Sequence, residues 1–238
     1  MTTVVKWSKF LGTDYITGLK LTWAGDKALT IGTGAAYLPA ANPILVSTAI
    51  ALTGMTLANS TEYHVYLYDI GGTPAAHVVT TAPAAPYFGT ARTETGDASK
   101  RYLGSFFTDA TGDIRYFVHD PQTNQIKYAR DALNFPPYLV ANALTAASAT
   151  SVSCSGIIPA TATNAYMRIR SDADQFLHIG DSALSTSAFH IVLPPIHDDS
   201  QIVYADIPVT SQAFYYLFGA AVGIGMFYGA VVGYTFER

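Results

Sequence analysis

Wherever this chain is strongly patterned, apolar and polar residues alternate one for one. A period of two is the signature of strands that cover a core with one face, and it argues against helical folds. EYHVYLYDI, Glu62 to Ile70, sets Tyr63, Val65 and Leu67 on one side and His64, Tyr66 and Tyr68 on the other. NAYMRIRS sets Ala165, Met167 and Ile169 inward and Tyr166, Arg168 and Arg170 outward. GLKLTW alternates through Leu19, Leu21 and Trp23, then breaks at the turn pair Gly25-Asp26. Gly71-Gly72-Thr73-Pro74 closes another strand, and AAHVVTT returns from it. Gly32-x-Gly34 lacks a third glycine and reads as turn glycine, not a nucleotide loop.

The best helix candidate is QIKYARDALNF, Gln125 to Phe135, which ends at Pro136-Pro137. Its stripe is short, so residues 121–138 read as a connector. PAAPYFGTARTETGDASK carries no stripe and reads as a long loop. Phe214 to Phe236 holds no charge and is long enough for a spanning helix, with glycines at the spacing of packed membrane helices. Its glycines weaken a helix, while its aromatics and valines suit strands, so two Gly-punctuated strands are the expectation and no membrane is expected. The expected fold class is all-β: two β-sandwich or jelly-roll-like domains, with boundaries 1–14 (arm), 15–120, 121–138 (connector) and 139–238.

TDATGD stands between RYLGSFF and IRYFVHD. Asp109 is expected to accept backbone N–H groups, Gly112 to supply a positive φ, and Asp113 to complete the hairpin turn. Aromatic residues of the two flanking strands should then pair across a ladder. The rival reading makes Asp109 and Asp113 a catalytic or calcium pair.

Other chemistry is sparse. The histidines at 64, 77, 119, 178, 190 and 197 are scattered, and neighbours such as His119-Asp120 point to opposite faces of a strand. His197-Asp198-Asp199 reads as a polar loop, and Asp172-x-Asp174 lacks the glycine and distal glutamate of a calcium loop. Cys154, the only cysteine, has no basic neighbour and reads as apolar filler. No nucleophile elbow, phosphate loop or selected acid pair is present, so no catalytic residue, metal or cofactor is expected. Charged residues are 13% of the chain against 50% hydrophobic, which leaves too few charges to cover an ordinary outer surface. Subunit interfaces are the expected cover, in a trimer closed around an axis. A net charge of −4 without a basic stripe argues against nucleic acid. Tyr and Phe clusters also suit a sugar platform, though core or interface is the commoner use.

Between Gly18 and Asp120, the HVYLY strand, TTAPAAPY, GTAR, TGD, RYLGS and TDATGDI together resemble a β-domain of tailed-bacteriophage virion proteins. Those proteins are described as head fibre, capsid decoration or tail-fibre-like. PATATNAYMRIR and VVGYTFER resemble, more loosely, small domains that trimerise at the end of such proteins. The resemblance implies a non-enzymatic homotrimer on a phage capsid or tail, made in the host bacterial cytoplasm. The alternative it leaves is a receptor-binding module for host attachment through a surface glycan. Trp7 and Phe10, in an arm with few charges, are the candidate virion attachment residues. MTTVVKWSKFLG has no apolar core of secretory length, so no targeting signal is expected.

Overall fold

Strand pairing must satisfy every buried backbone group of a chain patterned in this way, and hairpins between neighbours do so at the least entropic cost. The structure, a computed structural model, describes residues 14–39, 43–120, 122–129, 138–182, 191–195 and 201–238. Trp7, Phe10, His190, His197, Asp198 and Asp199 lie outside the described residues. Among the described residues there are strands and turns but no helix. The chain divides into two compact units: one takes residues up to Gln122 plus Glu237–Arg238, the other Thr123–Phe236.

The first unit holds β1 (Ile16–Gly18), β2 (Leu21–Gly25), β3 (Ala28–Ile31), β4 (Gly34–Tyr37), β5 (Pro43–Val46) and β6 (Ile50–Leu52). It continues with β7 (Glu62–Ile70), β8 (Thr73–Val79), β9 (Thr93–Glu94), β10 (Asp97–Phe107) and β11 (Phe117–His119). They form antiparallel sheets ordered β1-β4-β5, β2-β3-β6 and β8-β7-β10-β9. The β7–β8 hairpin closes through Gly71 and Gly72, both at positive φ, with Ile70 facing Thr73. Positive φ at both central residues is the two-residue turn that matches strand twist. Gly34 serves close approach instead of a turn: a Cβ there would sit 2.1 Å from the Thr17 carbonyl oxygen. The alternation of β7 does not translate into one wet face, since Tyr63 through Leu67 are all buried and β10 is buried from Arg101 to Phe107.

Two sequence expectations are corrected in this unit. The supposed long loop contains β9 and the start of β10, with bridges Pro83–Glu94 and Phe88–Ala91. TDATGD makes its turn, but the flanking strands do not form a ladder. They share one bridge, Thr108–Ile114, and the bond from Arg115 N to Phe107 O. β10 is already held by β7 and β9, while Ile114 is drawn to the β2–β3 turn. There its N–H donates to Asp26 O, and its carbonyl accepts from Trp23 Nε1.

The second unit holds β12 (Gln125–Tyr128), β13 (Leu139–Leu144), β14 (Thr150–Ser153), β15 (Ala162–Ser171), β16 (Leu177–Gly180), β17 (Ile191–Leu193), β18 (Gln201–Pro208), β19 (Ala213–Phe218) and β20 (Phe227–Phe236). Within the unit one sheet runs β12-β20-β15-β18, with β13 also on β20, and the other runs β14-β19-β16-β17. The sheets meet through aromatic rings: Phe227 of β20 lies 5.2 Å from Tyr216 and 6.5 Å from Phe214 of β19. Ala165, Met167 and Ile169 point into this sandwich-like core, as their alternation requires. The uncharged block from Phe214 is two strands, and no helix of the described residues is long and apolar enough to cross a membrane. The supposed connector is corrected as well: Gln125–Lys127 pair in register with Thr235–Gly233. The start of the helix candidate is therefore a strand, and residues 130–137 lie outside the described residues. A stripe of this length is too short to hold a helix against a free sheet edge.

Gly112 sits at φ +81°, and a Cβ there would meet Leu57 O at 2.8 Å. Gly71 sits at φ +59° with nothing within 4 Å of its Cβ position. Gly71→Ala should cost about 1 kcal/mol, the conformational penalty alone. Gly112→Ala should cost at least about 1 kcal/mol more, and urea unfolding of the two variants measures the difference. Asp113→Asn, at an exposed pair with Lys27, should change stability by less than about 1 kcal/mol.

Candidate functional site

Asp109 and Asp113 are turn residues in the structure. Asp109 Oδ1 accepts from Thr111 N at 2.8 Å, Thr111 Oγ1 at 2.7 Å and Asp113 N at 2.9 Å. Asp113 pairs with Lys27 Nζ at 3.1 Å, and its Oδ2 lies 2.8 Å from Thr111 Oγ1, whose one proton serves either carboxylate in turn. Both carboxylates are thereby engaged by the loop and by Lys27. Asp172 and Asp174 hold a backbone too: Asp172 Oδ1 accepts from Met226 N at 2.6 Å, and Asp174 Oδ1 from Gly223 N at 3.2 Å. Among the described residues no three His, Cys, Asp or Glu side chains gather as a metal ligand set.

The interior of β7 and β10 holds the nearest approach to a catalytic constellation. Ser105 lies opposite His64 in the ladder, with Ser105 Oγ 2.7 Å from His64 Nδ1 and 2.7 Å from the Tyr102 hydroxyl. Glu62 Oε1 is 3.8 Å from the same Nδ1. A serine triad needs serine and acid on different ring nitrogens, so that one orients the base toward the other. Here both meet Nδ1, the acid is beyond hydrogen-bond distance, and Ser105 is 1% exposed. The cluster binds β7 to β10. Burial pushes His64 down to about 4 and Glu62 up to about 7. His119 accepts from Leu21 N through Nδ1, and burial, then the positive charges of Arg238 and Lys20, push it down to about 3. Cys154 is wholly buried and its thiol is pushed up to about 12, which removes it as a nucleophile.

A rim cluster joins His77 Nε2 to Glu94 Oε2 at 2.9 Å, with Lys100 bonded to Glu94 and Asp97. It ties β8 to β9 and β9 to β10. Hydrogen bonds from Ser99, more than Lys100, hold Asp97 down to about 2.

The outer face of β12-β20-β15-β18 is different in kind. Lys127, Gly233, Tyr166 and Asp206 form one row across the strands, Ala230, Arg168 and Tyr204 the next, and Tyr228, Arg170 and Ile202 the third. Lys127 Nζ stands 6.0 Å from the Tyr166 ring centroid, and Tyr166 stands 6.2 Å from Tyr204. Arg170 Cζ lies 4.9 Å over Tyr228, and its Nη2 also pairs with Asp172 at 2.9 Å. Gln125 Nε2 donates to Asp206 at 3.4 Å. The alternation of β15 already points Tyr166, Arg168 and Arg170 outward. Their neighbours Tyr204, Tyr228 and Lys127 come from strands far apart in the chain, so only the strand order reveals the face.

The shifts fix the sign of the pH response. His64 and His119 bind fewer protons folded than unfolded, so stability they lend above pH 6.5 is lost as pH falls through about 4 and about 3. Glu62 binds more protons folded, so its contribution is present below pH 4.5 and lost as pH rises through about 7. Glu62→Gln should therefore be more stable than the parent at pH 8 and equal to it at pH 4. Thermal melts at the two pH values check this.

Compared with known proteins, the chain matches no protein-family model, no curated protein and no solved structure.

Proposed function

We propose that this chain is a non-enzymatic structural protein of a bacteriophage virion, a homotrimer that decorates the capsid or forms a fibre on head or tail. The resemblance of Gly18 to Asp120 supports this reading. The observation that carries it is apolar surface left in water by a chain short of charge. Leu45 is 67% exposed, Ile70 58% and Ile224 69%, with Phe88, Tyr116 and Val118 all above half. Surface of this kind marks contacts with other copies or with a particle. The first unit directs the guanidinium groups of Arg101 and Arg238 inward, to carbonyls, which suits a scaffold. The two units would be jelly-roll-like sandwiches in the assembly. A second reading, a receptor-binding module for host glycans, is favoured by the tyrosine and arginine face of the second unit.

Two measurements test the first reading. Light scattering at micromolar concentration should give three times the 25.4 kDa chain mass, and a stable monomer would overturn the trimer. The arm with Trp7 and Phe10 is proposed to dock on the particle. Asp14 must be kept in any truncation, because its carbonyl accepts from Arg101 Nη2. Deleting residues 1–13 should leave folded oligomers that no longer attach to particles, and normal attachment would exclude the arm from docking.

A further inference from the structure

We infer that the outer face of β12-β20-β15-β18 binds an extended acidic glycan, its tyrosines stacking on sugar rings and its cations meeting the carboxylates. The inference rests on the glycan-binding reading above and names its site and ligand class. Three features carry it. First, Tyr166, Tyr204 and Tyr228 occupy three successive rows of the sheet, and Tyr204 is 52% exposed. Rows two residues apart span about 13 Å in all, which suits a short stretch of polymer and not a compact ligand. Aromatic rings on such a face bury the apolar side of a sugar at little entropic cost, since each ring has only two torsions.

Second, the cations are placed with the rings. Lys127 stands over Tyr166, Arg170 over Tyr228, and Arg168 lies beside Tyr204 in the register. The chain as a whole is negative, yet this face carries Lys127, Arg168 and Arg170 against Asp172 and Asp206. The local excess is positive, so charge complementarity selects an acidic polymer over a neutral one. The Arg170 guanidinium already donates to the Asp172 carboxylate, which fixes it in place for a second partner. Third, polar groups that read hydroxyls stand beside the rings: Gln125 and Asp206 share one hydrogen bond and keep donor and acceptor capacity for another. A single platform binds weakly, and an oligomer that presents several in parallel gains by avidity.

Isothermal titration of the full chain with a short polygalacturonate, an uncharged glucan oligomer and oligothymidylate tests this. Binding of polygalacturonate that weakens with added salt is the expected result. Tyr204→Ala should weaken it about tenfold, Tyr204→Phe should keep it, and Lys127→Gln should reduce the preference for the charged sugar. Each variant should melt with the parent, since the altered side chains are on the surface. Equal binding of the neutral glucan, tighter binding of oligothymidylate, no binding of any probe, or insensitivity to Tyr204→Ala would each overturn the proposal. Particle attachment is scored separately. Glycan binding without attachment sinks the virion reading alone, and attachment without glycan binding sinks this one alone.

Discussion

Two guanidinium groups buried inside the first unit are the constraint around which that unit is arranged. Arg101 is fully buried and Arg238 nearly so. A buried cation is tolerable only when its hydrogen bonds are made. Arg238 donates from Nη1 to Leu19 O and from Nη2 to Gly18 O, and Arg101 donates to Asp14 O and to the Tyr87 hydroxyl. The carbonyls of Gly18 and Leu19 belong to a corner. The chain leaves the β1-β4-β5 sheet at Gly18 and enters β2-β3-β6 at Leu21, while its partner makes the same passage between Ile31 and Gly34. The two crossing segments hold each other by Leu19 N to Thr33 O and Gly32 N to Lys20 O. Leu19 sits at φ +53°, a conformation that a branched residue adopts only when its surroundings impose it. Arg238 supplies the hydrogen bonds that a corner between sheets denies its own carbonyls.

Glu237 and Arg238 therefore complete a unit from which the chain departed at Gln122. Arg92 fastens the same return by pairing with Glu237 at 2.8 Å, and Thr90 Oγ1 donates to Arg238 O at 3.2 Å. The second unit is inserted in the chain between two parts of the first. Folding of the first unit is then not finished until the residues after β20 are in place, which raises its contact order above that of a chain of local hairpins. The low charge content fits the same logic. Two of the unit's cations, Arg101 and Arg238, are used inside, on carbonyls, rather than on its surface.

The sequence was most legible where local chemistry decides structure. The Gly71-Gly72 turn, the alternation of β15, the division of Phe214–Phe236 into strands and the bonding of Asp109 all follow from residues close in the chain. What it did not disclose depends on neighbours brought from afar. β12 was hidden because Ile126, Ala129, Ala132 and Leu133 imitate a helical stripe, and its partner β20 lies a hundred residues away. The turn at Gly112 was legible, but the path after it was not, since Trp23 and Asp26 capture Ile114. Gly34 read as a turn because its role is set by the carbonyl of Thr17 on the opposite strand. Both faces of β7 proved buried, so a polar residue such as His64 could not be assigned to water by alternation alone. For the candidate site, β15 displayed half of the face, and register had to supply the rest.

Register also explains how that face can be crowded with rings and long cations. Gly233 stands between Lys127 and Tyr166 in its row, and Ala230 takes the corresponding place beside Arg168. Ala230 and Gly233, both buried, take little room above β20, so the long side chains of β12 and β15 can lie across the strand toward each other. A larger residue at Gly233 is excluded from the other direction as well, because its Cβ would meet Ile126 O at 2.3 Å. Close contact of β12 with β20 and the reach of Lys127 to Tyr166 are thus two consequences of one missing side chain. Inside the same unit the demand is reversed, and Phe227, Tyr234 and Phe236 fill the space between the sheets. β20 turns Ala230 and Gly233 outward, with Tyr228 the large exception, and Phe227, Val231 and Tyr234 inward, so that single strand shapes both the core and the surface above it.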